Sequence, residues 1–155
     1  MLHELRTTQF IKSDIETVWN FMSSPANLAV ITPSFMGFEI IGDKKDYGRM
    51  YPGQIIQYWV SPVAGIKMHW VTEITHVVEK EYFVDEQRMG PYSFWHHKHF
   101  LRETNGGIEM TDIVHYKAPL GFLGEIANAL LIRKKLKTIF DYRYRKIEEI
   151  FNSGT

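Results

Sequence analysis

The chain has 155 residues, 45% of them apolar and 23% charged, the proportions of one globular domain with a packed core rather than of a disordered chain. Eighteen basic residues balance eighteen acidic ones and there is no cysteine, which argues against a nucleic-acid partner and excludes disulfides, thiolate nucleophiles and thiolate metal sites. Four Trp, eight Tyr and ten Phe are many rings for this length, and such rings fill wide cores or line pockets.

In chain order, Leu2 to Ile11 alternates as a first strand. It lacks the apolar run of a signal peptide. Ser13 or Asp14 then reads as the N-cap of a helix whose apolar face is Ile15, Val18, Trp19 and Met22. Ser24-Pro25 breaks it, and a second short helix is expected over Ala26 to Val30. The period then changes to two. Strands are expected at Phe35–Ile41, Gln54–Val60, Ile66–Val78, Glu81–Arg88, Tyr92–Glu103 and Gly107–Lys117. Turn signals separate them, among them Gly42-Asp43, Ser61-Pro62, Gly90-Pro91 and Asn105-Gly106. Short connections favour an antiparallel meander. After Pro119 and Gly121, residues Gly124 to Phe151 form one long helix of about 28 residues, roughly 42 Å at the usual rise. Its stripe is Ile126, Leu130, Phe140, Tyr144, Ile147 and Phe151.

The fold class is therefore α+β: a curved antiparallel sheet of seven strands, two short helices after the first strand, and a long C-terminal helix on one sheet face. One long and two short helices cover such a face only partly, and the gap left between is the expected pocket. No stretch reaches the roughly 18 apolar residues of a membrane span. A soluble, cytoplasmic single domain over residues 1–155 is expected, without stable membrane insertion.

The element order, with Phe83-Val84-Asp85-Glu86-Gln87, Gly90-Pro91-Tyr92, Trp95-His96-His97-Lys98-His99-Phe100 and Thr111-Asp112-Ile113-Val114-His115-Tyr116, resembles the helix-grip fold of the START and pollen-allergen (SRPBCC) superfamily. Within it the chain is similar to small bacterial ligand-binding members, some described as polyketide cyclase-like or cell-division-inhibitor-associated. The resemblance covers nearly the whole chain. It implies an internal cavity whose entry lies near Trp19, Leu28, Ile31, Phe35, Met36 and Phe38, with Pro119 to Leu123 as the other lip and Phe122 as its gate. The iron centre of ring-hydroxylating oxygenases has no room in this chain. Fold does not fix function within the superfamily.

Strand alternation sorts the candidate site residues. The expected inward faces are Trp70/Thr72/Ile74, Phe83/Asp85/Gln87, Trp95/His97/His99 and Met110/Asp112/Tyr116. All of these but Ile74, together with Phe122, make the expected ligand-binding set. A polar strip of Asp85, Gln87, His97, His99, Asp112 and Tyr116 among rings suits a selective small-molecule site. It suits equally a satisfied internal network, such as His99 paired with Asp112. Catalysis is the third possibility, with His97 or His99 as acid or base, Asp112 orienting it and Tyr116 polarising a carbonyl. His97 and His99 with Asp112 also have metal-ligand character, but only the two imidazoles are firm, so no metal and no cofactor is expected.

Arg133-Lys134-Lys135-Leu136-Lys137 reads most simply as a solvated helix face. Contact with an anionic membrane is a minor reading, since the sequence marks no exposed apolar stripe beside it. No phosphate loop and no nucleophile elbow is present. The leading expectation is binding of a small, largely apolar ligand (a lipid, polyketide or aromatic compound) by a monomer or homodimer. The alternatives are a polyketide cyclase/dehydratase-like enzyme and an interaction module.

Overall fold

The structure is a computed structural model that describes residues 1–42, 47–63 and 65–153. Its strands are β1 (His3–Ile11), β2 (Glu39–Ile40), β3 (Gln54–Val63), β4 (Ile66–Val78), β5 (Tyr82–Met89), β6 (Phe94–Thr104) and β7 (Gly107–Lys117). They form one antiparallel sheet in the order β1-β7-β6-β5-β4-β3-β2. Helices α1 (Ile15–Met22) and α2 (Pro25–Leu28) follow β1, and the chain ends in a helix of 32 residues. That helix comprises α3 (Gly121–Ala127), a π-turn (Asn128–Ile132), α4 (Arg133–Ile147) and a second π-turn (Glu148–Asn152). Among the described residues no helix is long and apolar enough to cross a membrane.

Asp14 is the N-cap of α1. Its carboxylate accepts from the Thr17 amide at 2.8 Å and the Thr17 hydroxyl at 2.7 Å, which satisfies donors that the first turn leaves unpaired. Four expectations change. The strand expected at Phe35–Ile41 shrinks to Glu39–Ile40, because Ser34–Met36 closes a 3-10 turn after Pro33 and Gly37 follows at φ +53. The long helix starts at Gly121 rather than Gly124 and ends at Asn152. Gly124 lies inside it against the Pro119 carbonyl, where any Cβ would collide with backbone. The second short helix spans Pro25–Leu28 rather than Ala26–Val30, and the strand expected to begin at Tyr92 begins at Phe94. The Asp43 half of the Gly42-Asp43 turn lies outside the described residues.

Register places the site. Asp85 pairs with His97, Phe83 with His99, His99 with Asp112 and Trp95 with Tyr116. Side chains directly opposite across antiparallel strands point to the same face. These residues therefore share the concave face, over which Leu136, Phe140, Arg143 and Ile147 of α4 are buried. At its end the helix is latched to the edge strand. Gln9 of β1 donates through Nε2 to the Tyr144 carbonyl at 3.0 Å and to Glu148 at 2.8 Å.

Candidate functional site: a cavity with a charged wall

Between the sheet, α4 and the α1–α2 segment lies a cavity of about 150 Å³. Its sheet wall is Ile56, Tyr58 and Val60 of β3, Trp70, Thr72 and Ile74 of β4, Phe83 and Asp85 of β5, and Trp95, His97 and His99 of β6. Leu136, Ile139, Phe140 and Arg143 of α4 face them. Leu28, Ile31, Met36 and Phe38 close the remaining side.

One end is aromatic. The rings of Tyr58 and Trp70 stack at 5.9 Å, Trp95 meets Trp70 edge-on at 5.3 Å, and Phe38 tilts over Tyr58 at 4.9 Å. Thr72 satisfies the polar atoms that these rings bury. Its hydroxyl accepts from Trp70 Nε1 at 3.0 Å and pairs with the Tyr58 hydroxyl at 2.8 Å. Burial pushes the Tyr58 phenol upward, so it stays neutral.

The other end is ionic. His99 Nε2 lies 2.8 Å from Asp85 Oδ2 and His99 Nδ1 lies 2.7 Å from Asp112 Oδ1. His97 has the same neighbours, Nε2 at 3.1 Å from Asp112 Oδ1 and Nδ1 at 3.4 Å from Asp85 Oδ2. Arg143 Nη2 reaches Asp112 Oδ1 at 3.5 Å, and Trp95 Nε1 donates to Asp85 Oδ1 at 3.3 Å. Burial opposes every charge here, and the neighbours decide which survive. For His99 the carboxylates of Asp112 and Asp85 outweigh burial and raise its pKa. For His97 burial, reinforced by the charge on His99, lowers the pKa to about 4. For Asp112 the Arg143 guanidinium and His99 overcome burial and hold the carboxyl well below its ordinary range. Asp85 is likewise lowered, with His97 and His99 outweighing burial. Asp85 and Asp112 are thus held as carboxylates and His97 as a neutral imidazole, while His99, with a carboxylate oxygen within 2.8 Å of each ring nitrogen, is drawn towards the imidazolium form. In that form His99 has no lone pair at Nδ1, and the 3.2 Å approach of Arg143 Nη2 to that atom is then two cations sharing Asp112.

Asp85, His97 and His99 bring one ligand atom each within 4.8 Å of one another. That is a donor set a divalent ion can use, with Asp112 behind both imidazoles as an outer-shell acceptor. Asp85, not the expected Asp112, is the third donor. Arg143 already supplies beside Asp112 the positive charge that an ion would bring.

Of the expected ligand set, Trp70, Thr72, Phe83, Asp85, Trp95, His97 and His99 line the cavity, and five residues do not. Asp112 stands behind the histidines, buried and bonded to both. Gln87 exchanges hydrogen bonds with the backbone of Tyr92, donating to its carbonyl at 2.6 Å and accepting from its amide at 3.2 Å, and so holds the β5–β6 turn. Met110 packs in the core with Ile11, Val18 and Trp19. Tyr116 is buried with Val114, Leu136 and Phe140. Phe122, the expected gate, is 78% exposed. Of the expected entry residues, Leu28, Ile31, Met36 and Phe38 line the cavity, whereas Trp19 is in the core and Phe35 lies on the surface.

Sequence reasoning missed Arg143, which lies on the cavity side of the helix with Phe140 and Ile147. The three- and four-residue steps from 140 to 143 to 147 mark it as facing inward. It also missed Tyr58, whose signal is the alternation Ile56, Tyr58, Val60.

No family model and no curated protein matches the chain. Solved structures match over nearly its full length. A protein from Chromobacterium violaceum aligns with TM-score 0.73 at 10% identity, covering 97% of this chain and 98% of that one. A protein from Thermus thermophilus aligns at 0.69 and 14%, covering 95% of each. Ara h 8.0201, a Bet v 1-like helix-grip protein, aligns at 0.65 and 14%, covering 99% of this chain and 100% of that one. At these identities the likeness establishes the fold alone: a helix-grip-like arrangement of sheet and C-terminal helix.

Proposed function

We propose that the chain is an SRPBCC, START-like domain over residues 1–155 that binds a small, largely apolar molecule carrying an oxygen at one end. One observation carries this reading. Arg143 is the cavity-lining residue, among those described, with a buried side-chain polar atom that has no partner, its Nε. A buried donor left unpaired is costly, and a ligand oxygen that draws the Arg143 guanidinium towards the cavity and accepts from it removes that cost. The apolar body then lies between Trp70, Tyr58, Trp95 and Phe38. A space of about 150 Å³ takes roughly one benzene-sized ring, which favours a compact aromatic or polyketide-like ring over a diacyl lipid. Native mass spectrometry of protein purified from its own host tests the reading, combined with a binding screen of ring compounds and fatty acids. A copurified or selected ring compound with an oxygen substituent is the expected result. No bound molecule and no hit in the screen contradicts it.

A second reading is a polyketide cyclase/dehydratase-like enzyme. His97 favours it: a neutral imidazole on the cavity wall beside Asp112 can accept a proton. Tyr116, outside the cavity, has no part in it. His97→Ala and His99→Ala should then abolish turnover of a polyketide-like substrate while binding survives, and unchanged turnover rejects the assignment.

A further inference from the structure

The N-terminal half of the last helix turns a row of large apolar side chains to water. Leu120 is 79% exposed, Phe122 78%, Leu123 67%, Leu130 68% and Leu131 66%. Soluble surfaces rarely gather such residues together without a use. The arrangement is fixed rather than incidental. Gly124 sits against the Pro119 carbonyl with no space for a side chain, which sets the opposite side of α3 outward. The preceding Leu120 is held at φ +66, a left-handed conformation unfavourable for leucine, and its side chain is nevertheless in solvent.

Phe122, Ile126 and Leu130 recur every four residues. Arg133, Lys134 and Lys137 continue the row at the three- and four-residue steps that keep side chains on one face. Arg133 and Lys134 are exposed and take part in no ion pair among the described residues. Lys137 is paired with Asp141, the next step of the row, at 2.6 Å, and the other acidic residue in it, Glu125, is already bound by the Met1 amino group and by His3 at 2.9 Å. Lys135 lies 3.9 Å over the ring of Phe35, one residue from Met36 of the cavity wall. The basic end of the row therefore borders the cavity.

We propose that this face docks reversibly on an anionic lipid bilayer, with Phe122, Leu123 and Leu130 entering the headgroup boundary and Arg133 and Lys134 on the lipid phosphates. Exposed large apolar groups joined to a basic cluster on one helix face are what such a surface selects. A second copy of the chain fits less well. Antiparallel two-fold pairing on this face lays Arg133 and Lys134 of one copy over the Phe122–Ile126 end of the other, where no free carboxylate answers them. The proposal does not depend on what the cavity holds.

Vesicle co-sedimentation tests it. The full chain should pellet with mixed phosphatidylcholine–phosphatidylglycerol vesicles, much less with phosphatidylcholine alone, and be released by salt. The double variant Arg133→Gln/Lys134→Gln should lose roughly 25-fold in partitioning, about fivefold per charge. Phe122→Ser/Leu130→Ser should bind neither vesicle. Both pairs change exposed side chains, so unchanged circular dichroism and melting should accompany the loss. No pelleting with anionic vesicles, or equal binding by the charge variant, overturns the proposal. So does a wild-type dimer in sedimentation velocity that Phe122→Ser converts to monomer, which would assign the face to a second copy.

Discussion

Leu136, Phe140, Arg143 and Ile147 are all buried under the sheet, whereas Phe122, Leu123, Leu130 and Leu131 of the same helix, and Leu120 just before it, stand in water. The two halves differ in what faces them. The C-terminal half crosses the centre of the concave sheet, where β5, β6 and β7 offer rings and the ionic cluster. The N-terminal half begins beyond β7, next to the edge strand β1, as the contacts of Glu125 and Asn128 with His3 show. Sheet curvature reaches the C-terminal half and not the N-terminal one. An apolar helical stripe therefore signals burial only where a facing element exists. Where none exists, the same residue types make a surface.

The sharpest way to break this contrast is to remove a charge from the gripped half's polar contacts. Asp112→Asn leaves His99 and Arg143 without their shared carboxylate in a buried site. It should cost about 3–5 kcal/mol in urea unfolding, and a loss below about 1 kcal/mol would mean that the cluster is far more hydrated than its burial implies. Phe140→Ala should cost about 3–4 kcal/mol through lost burial and an enlarged cavity.

The cluster should also write itself into the pH dependence. The folded pKa of His97 is depressed to about 4 from an ordinary 6.5, so below pH 6.5 the unfolded chain takes up a proton that the folded chain refuses. Stability should fall by roughly 2–3 kcal/mol as pH drops from 6.5 to 4. The folded pKa of His99 is raised, so its contribution is complete below the unfolded value and is lost as pH rises through the folded one. Stability should therefore peak near pH 6.5 and decline on both sides. Urea midpoints across that range check it, and His97→Gln should flatten the acid limb. At the small end of the scale, Phe122→Ala should change stability by less than about 0.5 kcal/mol, against the much larger loss at Phe140.

The architecture was legible because its signals are periodic. Alternation in Ile66–Val78 and Gly107–Lys117, the Asn105-Gly106 turn and the 3.6-residue stripe over 140–151 each fix an element by local geometry. Eight of the wall residues, Ile74 among them, followed from alternation alone. The rest were hidden for physical reasons. Alternation sorts faces but not depth, so Asp112 and Asp85 looked equivalent although one backs the histidines and the other lines the cavity. An arginine on a helix reads as solvent-facing until its buried partner, Asp112, is placed beside it. Phe122 reads as a gate until the helix is seen to leave the sheet before reaching it.

Arg143 is where the fold and the proposed function meet, and calorimetric titration of wild type and Arg143→Met with phenol, against benzene as the ring without oxygen, tests that meeting most directly. Wild type should prefer the phenol by about tenfold, the worth of one buried hydrogen bond, and Arg143→Met should erase the preference while keeping the ring affinity. Equal affinity of wild type for the two rings, or a preference that survives in Arg143→Met, would contradict it.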